Sequence, residues 1–201
     1  MFNNSLQKIS SQTKVEKMAK IIDVRINGRG GQGAVTASRL LGEAAILEGQ
    51  YVHAFPNFGP ERAGAPVTAF TRISPEPFTV KTEVTEPDIV VVIDPTLLDS
   101  VPVADGLKPG GTIVVNYEED KESLLKYFEG VDAKIYKVPG TKIAMEEIGR
   151  NVPNLLMLGA LIKVTSIIKL ESLIEVTKKR FAGEIGEKNA RAIRRAYEEV
   201  N

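Results

Sequence analysis

The stretch "INGRGGQGAV", residues 26–35, contains Gly28, Gly30 and Gly33 in G-x-G-x-x-G spacing, between an apolar run and a helical pattern. That context gives the motif its meaning, because glycine permits a tight strand-to-helix turn and lets a bulky group approach bare backbone. Amides freed around Gln32, Gly33 and Ala34 would sit at the positive end of a helix dipole, which favours an anion by about 0.3–1 kcal/mol beyond its hydrogen bonds. Gly28, Arg29, Gly30, Gly31, Gln32 and Gly33 are therefore the candidate residues for holding a phosphate-bearing ligand. Arg29 would either add a formal charge there or face solvent. Two familiar uses are testable at once. Gly33 is followed by Ala34-Val35-Thr36 rather than by Lys and Ser or Thr, which disfavours nucleotide hydrolysis. A dinucleotide site wants an acid about 20 residues on, and the second strand ends in "HAFPNF", which has none. The glycines would alternatively serve only the close packing of helix on strand.

Elsewhere, residue types that do chemistry are sparse. The absence of cysteine removes disulfides, thiolate zinc sites, thiol nucleophiles and cysteinyl iron–sulfur ligation together. His53 is the only histidine, and a lone histidine in a strand reads as structural rather than as a general base. No catalytic or metal-ligating residue is assigned to this chain. A loop at residues 58–66, "FGPERAGAP", makes Phe58, Gly59, Pro60, Glu61, Arg62 and Gly64 candidates for an interface or active-site loop. The alternative is a surface loop whose adjacent opposite charges contribute little. Asp94 follows "VVVI", where open α/β sheets bind ligands, but an aspartate there equally starts a turn. Asn154 heads an apolar helix and reads as a cap or a buried hydrogen bond. Asn116 and Tyr117 follow a strong strand and receive no role.

The elements that must position these residues alternate between strand and helix. Residues 21–26 read as a strand and 34–47 as a helix with Leu40, Leu41, Ala44 and Leu47 on one stripe. Residues 51–55 form a second strand. "PVTAFTRIS", residues 66–74, is β-branched and reads as an exposed or antiparallel strand that Pro75 and Pro77 end, with residues 78–84 pairing back. Residues 88–93, "DIVVVI", and 111–115, "GTIVV", are continuous apolar runs of the kind covered on both faces of a parallel sheet. Residues 134–138 give a shorter strand, and from Thr141 helices take over. Residues 155–162 are apolar on every side and should be buried in the core or at a subunit contact. The last helix, 187–200, puts Ala190, Ile193, Tyr197 and Val200 on one face, and Arg191, Arg194, Arg195, Glu198 and Glu199 on a solvated one. The expected fold is α/β: an open, mostly parallel, Rossmann-like sheet with flanking helices and a helical C-terminus.

Composition bounds the rest. In 201 residues, 43% are hydrophobic, enough for a core, and 26 basic residues balance 26 acidic ones. That balance argues against general attraction to nucleic acid or anionic membrane. The longest apolar stretch, 155–162, falls far short of the roughly 20 residues of a spanning helix. Residues 1–18 are expected to be an extension without a fold, since 1–17 are polar and "MAKIIDVRI" opens at Met18 just before the first strand. Residues 19–201 then form a single domain.

These motifs carry a resemblance. "NGRGGQGAVTASRLLGEAA" followed by "FPNFGPERAGAPVTAFTRIS" resembles the gamma subunit of pyruvate:ferredoxin oxidoreductase, within the 2-oxoacid:ferredoxin oxidoreductases. The similarity continues through "DIVVVIDPTLL", "LKPGGTIVVN", "NLLMLGALIKVT" and "KNARAIRRAYEEV", so it covers about residues 19–200. It implies oxidative decarboxylation of pyruvate with coenzyme A to acetyl-CoA and carbon dioxide, electrons leaving to ferredoxin. Enzymes for branched-chain or aromatic 2-oxoacids belong to the same family. The resemblance further implies alpha, beta and ferredoxin-like delta partner subunits, which bear thiamine diphosphate, Mg and [4Fe-4S] clusters, in a cytoplasmic complex. This chain lacks both the Gly-Asp-Gly…Asn pattern associated with thiamine diphosphate and the cysteines for clusters, so what remains to it is assembly and the seating of coenzyme A. A rival expectation is a stand-alone nucleotide-binding or regulatory module that uses the same turn.

Overall fold

The computed structural model describes residues 20–57, 64–79 and 83–201. The expected extension at 1–18 and most of the 58–66 loop lie outside these residues. Six strands form one sheet in the order β2-β3-β1-β4-β5-β6. They are β1 (Ile22–Arg29), β2 (Tyr51–Asn57), β3 (Pro66–Ser74), β4 (Ile89–Val92), β5 (Gly111–Asn116) and β6 (Ala133–Val138). The helices are α1 (Ala34–Leu47), α2 (Lys121–Lys126), α3 (Gly140–Glu147), α4 (Asn154–Thr165), α5 (Leu170–Arg180) and α6 (Glu184–Glu199). Strands β1, β4, β5 and β6 pair in parallel, whereas β3 runs antiparallel to both β1 and β2. The α/β expectation therefore holds, with one reversed strand wedged into the β1–α1–β2 unit.

Both faces of β4 and β5 are covered, which is why these strands read as unbroken apolar runs. On one face Val91 and Val114 join a large core with α1, α3, α4, α5 and α6. On the other, Val90, Val92, Ile113 and Val115 pack with Leu97, Val103, Leu124 and Phe128. Helix α4 is buried from Asn154 to Ile162, lodged between the sheet, α1 and α6, so its all-round apolar character is core packing within this chain.

Several details differ from the sequence reading. β3 is antiparallel but interior, and its residues from Val67 to Ser74 are mostly buried. Leu47, the last residue of α1, is 49% exposed, unlike Leu40, Leu41 and Ala44 of the same stripe. Phe78, Thr79, Glu83 and Val84 are not in a strand, and residues 80–82 lie outside the described set. Helix α6 begins at Glu184, three residues earlier than its apolar face suggests. On its charged side Arg194 and Glu198 are exposed, but Arg191 pairs with Glu147 of α3, and Arg195 bridges Glu146, Glu147 and Glu199. Hydrogen bonds to Glu199 and then Glu146 outweigh the cost of burial and hold the Arg195 guanidinium protonated more firmly than usual.

Two buried polar links fix α1 and β1 against β3. Arg72 of β3 reaches Asp23 of β1 through Nε (2.7 Å) and Nη2 (3.2 Å), a two-pronged contact between residues 6% and 7% exposed. Ser38 of α1 donates to the Phe70 carbonyl at 2.7 Å, and Thr71 Oγ1 donates back to the Ser38 carbonyl at 3.0 Å. Replacing Ser38 with alanine should cost about 1–2 kcal/mol, because the bond is lost from a site where water cannot substitute. The check is the midpoint of urea unfolding for Ser38→Ala against the parent chain.

Candidate functional site

The chain leaves β1 toward β3 and β2 on one side, while β4 occupies its other side. In an open α/β sheet such a switch point leaves a crevice beyond the carboxyl ends of the strands, here β1 and β4. The glycine turn lies there, between Arg29 at the end of β1 and Ala34 at the start of α1.

Each glycine has its own reason. Gly31 and Gly33 have φ of +95° and +81°, a region that L side chains rarely adopt. A Cβ on Gly33 would also lie 2.3 Å from Asn154 Nδ2. Asn154, 5% exposed at the head of α4, donates from that same nitrogen to the Gly33 carbonyl at 3.1 Å. Of the two expected roles, Asn154 makes a part-buried hydrogen bond rather than a cap, and this bond ties α4 to the turn. Gly28 is a packing glycine whose Cβ would sit 3.4 Å from that of Ala34 and 3.7 Å from that of Ile93.

The turn is joined to the second sequence motif through backbone. Gly30 N donates to the Ala65 carbonyl (2.8 Å), and Gly64 N donates to the Gly30 carbonyl (3.2 Å). Of the expected loop candidates, Gly64 is thereby brought against the turn, while Phe58, Gly59, Pro60, Glu61 and Arg62 fall outside the described residues.

Side chains of the turn engage one another and the loop after β4. Gln32 folds back so that its Oε1 accepts from Arg29 N at 2.7 Å, and its Nε2 donates to Asp94 Oδ2 at 2.5 Å. Arg29 donates through Nε and Nη2 to Thr96 Oγ1 (3.0 and 2.7 Å) and through Nη1 to the Gly64 carbonyl (3.2 Å). Its Nε lies 3.4 Å from Asp94 Oδ2. The Arg29 charge is therefore neither loose in solvent nor fully available, because a carboxylate already faces it. Asp94 also starts the turn at 95–97, its Oδ1 accepting from Thr96 N at 2.9 Å. Burial would raise the Asp94 carboxyl, but hydrogen bonds from Thr96 and Gln32, together with the Arg29 charge, hold it below its ordinary value. Asp94 is consequently ionised at neutral pH.

Other amides of the turn are open to an acceptor. The amides of Gly31, Gly33, Ala34, Val35 and Thr36 donate to no acceptor among the described residues, and α1 has no side-chain cap. These donors and the dipole behind them suit a phosphate or carboxylate. Farther along the same edge, Asn116 at the end of β5 donates to the Ile93 carbonyl (2.9 Å) and accepts from Thr141 N (3.0 Å). Tyr117 meets Ser123 Oγ at 3.0 Å. His53 stacks on Phe55 with centroids 4.6 Å apart and stands opposite Arg72 in the sheet, apart from this turn in the topology. Sequence reasoning missed Thr96 and Thr141. Thr96 carried one usable signal, since a threonine two residues after aspartate is a common turn partner.

Comparisons with known proteins agree with this architecture. The family described as pyruvate ferredoxin/flavodoxin oxidoreductase matches residues 23–199. The "Pyruvate/ketoisovalerate oxidoreductases common subunit gamma" of Thermococcus litoralis is 54% identical over 90% of this chain and 97% of its own length. The "Pyruvate synthase subunit PorC" of Methanothermobacter thermautotrophicus is 48% identical, over 90% of this chain and 96% of its own. The crystal structure of pyruvate oxidoreductase subunit PORC from Thermotoga maritima superposes with a TM-score of 0.81 at 45% identity, covering 90% of this chain and 98% of that one.

Proposed function

Because the chain belongs to the pyruvate ferredoxin/flavodoxin oxidoreductase family and is a gamma-type subunit of such an enzyme, we propose that its glycine turn helps seat coenzyme A for the complex that makes acetyl-CoA from pyruvate. One observation carries this reading. Among the described residues the amides at the head of α1 lack acceptors at the sheet's switch point, where the two sequence motifs are hydrogen-bonded together. Coenzyme A offers a pyrophosphate and a ribose phosphate, anions that such amides and Arg29 can receive. Seated there, its thiol would reach the thiamine adduct on a neighbouring subunit.

The chain is one subunit of a multi-subunit oxidoreductase. The remaining chemistry is assigned to its partners: alpha and beta subunits with thiamine diphosphate and Mg, a ferredoxin-like delta subunit with [4Fe-4S] clusters, and ferredoxin as the electron acceptor. None of the described helices is long and apolar enough to cross a membrane, and a cytoplasmic complex fits that. Residues 19–201 act as one gamma-type domain in this reading, with 58–66 serving the active site or the interface with the thiamine-bearing subunit. The name of the Thermococcus litoralis relative is common to pyruvate and ketoisovalerate enzymes. A gamma subunit shared in that way leaves the choice of 2-oxoacid to other subunits, and we assign pyruvate on the wider set of relatives.

The test is the assembled enzyme carrying Arg29→Gln. Loss of one charged phosphate contact should raise the Kd for coenzyme A by about threefold to thirtyfold, while the KM for pyruvate stays within twofold. An unchanged Kd for coenzyme A removes the reading.

A further inference from the structure

The cation of the glycine turn is not idle. Arg29 is engaged by Thr96, by the Gly64 carbonyl and by Asp94, and the Asp94 oxygen that faces it also accepts from Gln32. An anion arriving at the head of α1 must compete for a guanidinium that is already engaged. The Asp94 and Arg29 side chains are 12% and 27% exposed, so solvent screens their attraction less than it screens a surface pair. Phosphate and carboxylate both match the donor fork of arginine, and they compete for it directly.

We propose that Asp94 sets the affinity of the glycine turn for its phosphate-bearing ligand by withholding Arg29, which the ligand must take from it. The inference rests on the reading of the turn as the coenzyme A seat and adds a residue that works against binding. Two phosphate charges or more displace Asp94 where a singly charged anion does not, so the empty subunit is kept from trapping small anions. Gln32 moves with the exchange, because its amide bridges Arg29 N and the same Asp94 oxygen. Asp94 is then a positioning residue, acting on the ligand through Arg29.

Asparagine at position 94 keeps an oxygen for Thr96 N but loses the charge, which separates withholding from capping. The experiment compares the assembled enzyme with Asp94→Asn, Asp94→Ser, Arg29→Gln and the Asp94→Asn/Arg29→Gln pair. It measures the Kd for coenzyme A, KM against kcat, and the salt dependence of the Kd. Asp94→Asn and Asp94→Ser should bind coenzyme A about twofold to tenfold more tightly, with a steeper salt dependence. The gain should vanish in the Arg29→Gln background. A gain in affinity is the informative sign, since structural damage would loosen binding. Unchanged or weaker binding in both position-94 variants overturns the proposal, as does a gain that persists without Arg29 or a failure of both variants to assemble. If Arg29→Gln itself leaves the Kd unmoved, the coenzyme A seat is wrong; if it weakens binding while the position-94 variants do not tighten it, only the role of Asp94 is wrong.

Discussion

Gly159→Ala should destabilise the chain by about 3 kcal/mol or more, against the direction that helix propensity gives. In the interior of an exposed helix the same change would stabilise by about 1 kcal/mol, because alanine has fewer backbone states to lose. Here the new Cβ would lie 2.3 Å from the carbonyl oxygen of Ile193 and 3.1 Å from its carbonyl carbon. These are main-chain atoms of α6, and no rotamer change moves them aside. The helices α4 and α6 would have to separate, opening the core around Ile193, Leu158 and Ala160, all fully buried. Overpacking of that kind costs about 1–3 kcal/mol with relaxation, and more where backbone must shift. Urea unfolding of the full chain, with soluble yield as a second readout, measures it. A midpoint equal to or above that of the parent would mean that α4 and α6 do not cross this closely.

Gly33→Ala should cost about 2–4 kcal/mol and weaken coenzyme A binding roughly tenfold or more. The left-handed backbone at φ +81° contributes roughly 1–2 kcal/mol for any L side chain. The rest comes from Asn154, whose Nδ2 would be 2.3 Å from the new methyl and must leave its hydrogen bond with the Gly33 carbonyl. The two residues are therefore coupled. Asn154→Ala in the parent should cost about 1 kcal/mol, but in the Gly33→Ala background it should cost less or recover stability, since it removes the overlapping atom. Gly31→Ala is the comparator: its φ of +95° carries the strain, but nothing lies within 4 Å of the new Cβ. Equal losses of stability at positions 31 and 33, with additive behaviour of Gly33 and Asn154, would refute the contact.

The glycine turn was legible because its spacing follows a strand and precedes a helix, a context that the sequence displays in one local window. The boundaries of α1 matched for the same reason, and the apolar runs of β4 and β5 announced strands covered on both faces. Leu47 misled because a stripe position implies burial only while a partner surface continues beneath it, and Leu47 is the last residue of α1. The reversed strand β3 was half visible: its alternation suggested antiparallel pairing, but nothing local says that β1 takes it as a neighbour, Arg29 pairing with Pro66, 37 residues along the chain. Arg29 shows the limit most clearly. Its presence in the glycine turn was evident, but its engagement by Asp94 and Thr96 depends on β4 lying beside β1.

Local chain chemistry by itself determined the α/β alternation, the place of the glycine turn and, through the missing cysteines, that this chain offers no thiolate ligand. Those properties follow from hydrophobic period, glycine stereochemistry and the kinds of ligand atom present, none of which requires distant contacts. Only the tertiary structure decided that the two motifs share hydrogen bonds through Gly30 and Gly64, that Asn154 seals the turn from the far helix, and that a carboxylate holds its cation. Strand order sets which loops meet, and strand order is a property of the whole chain's burial rather than of any window within it.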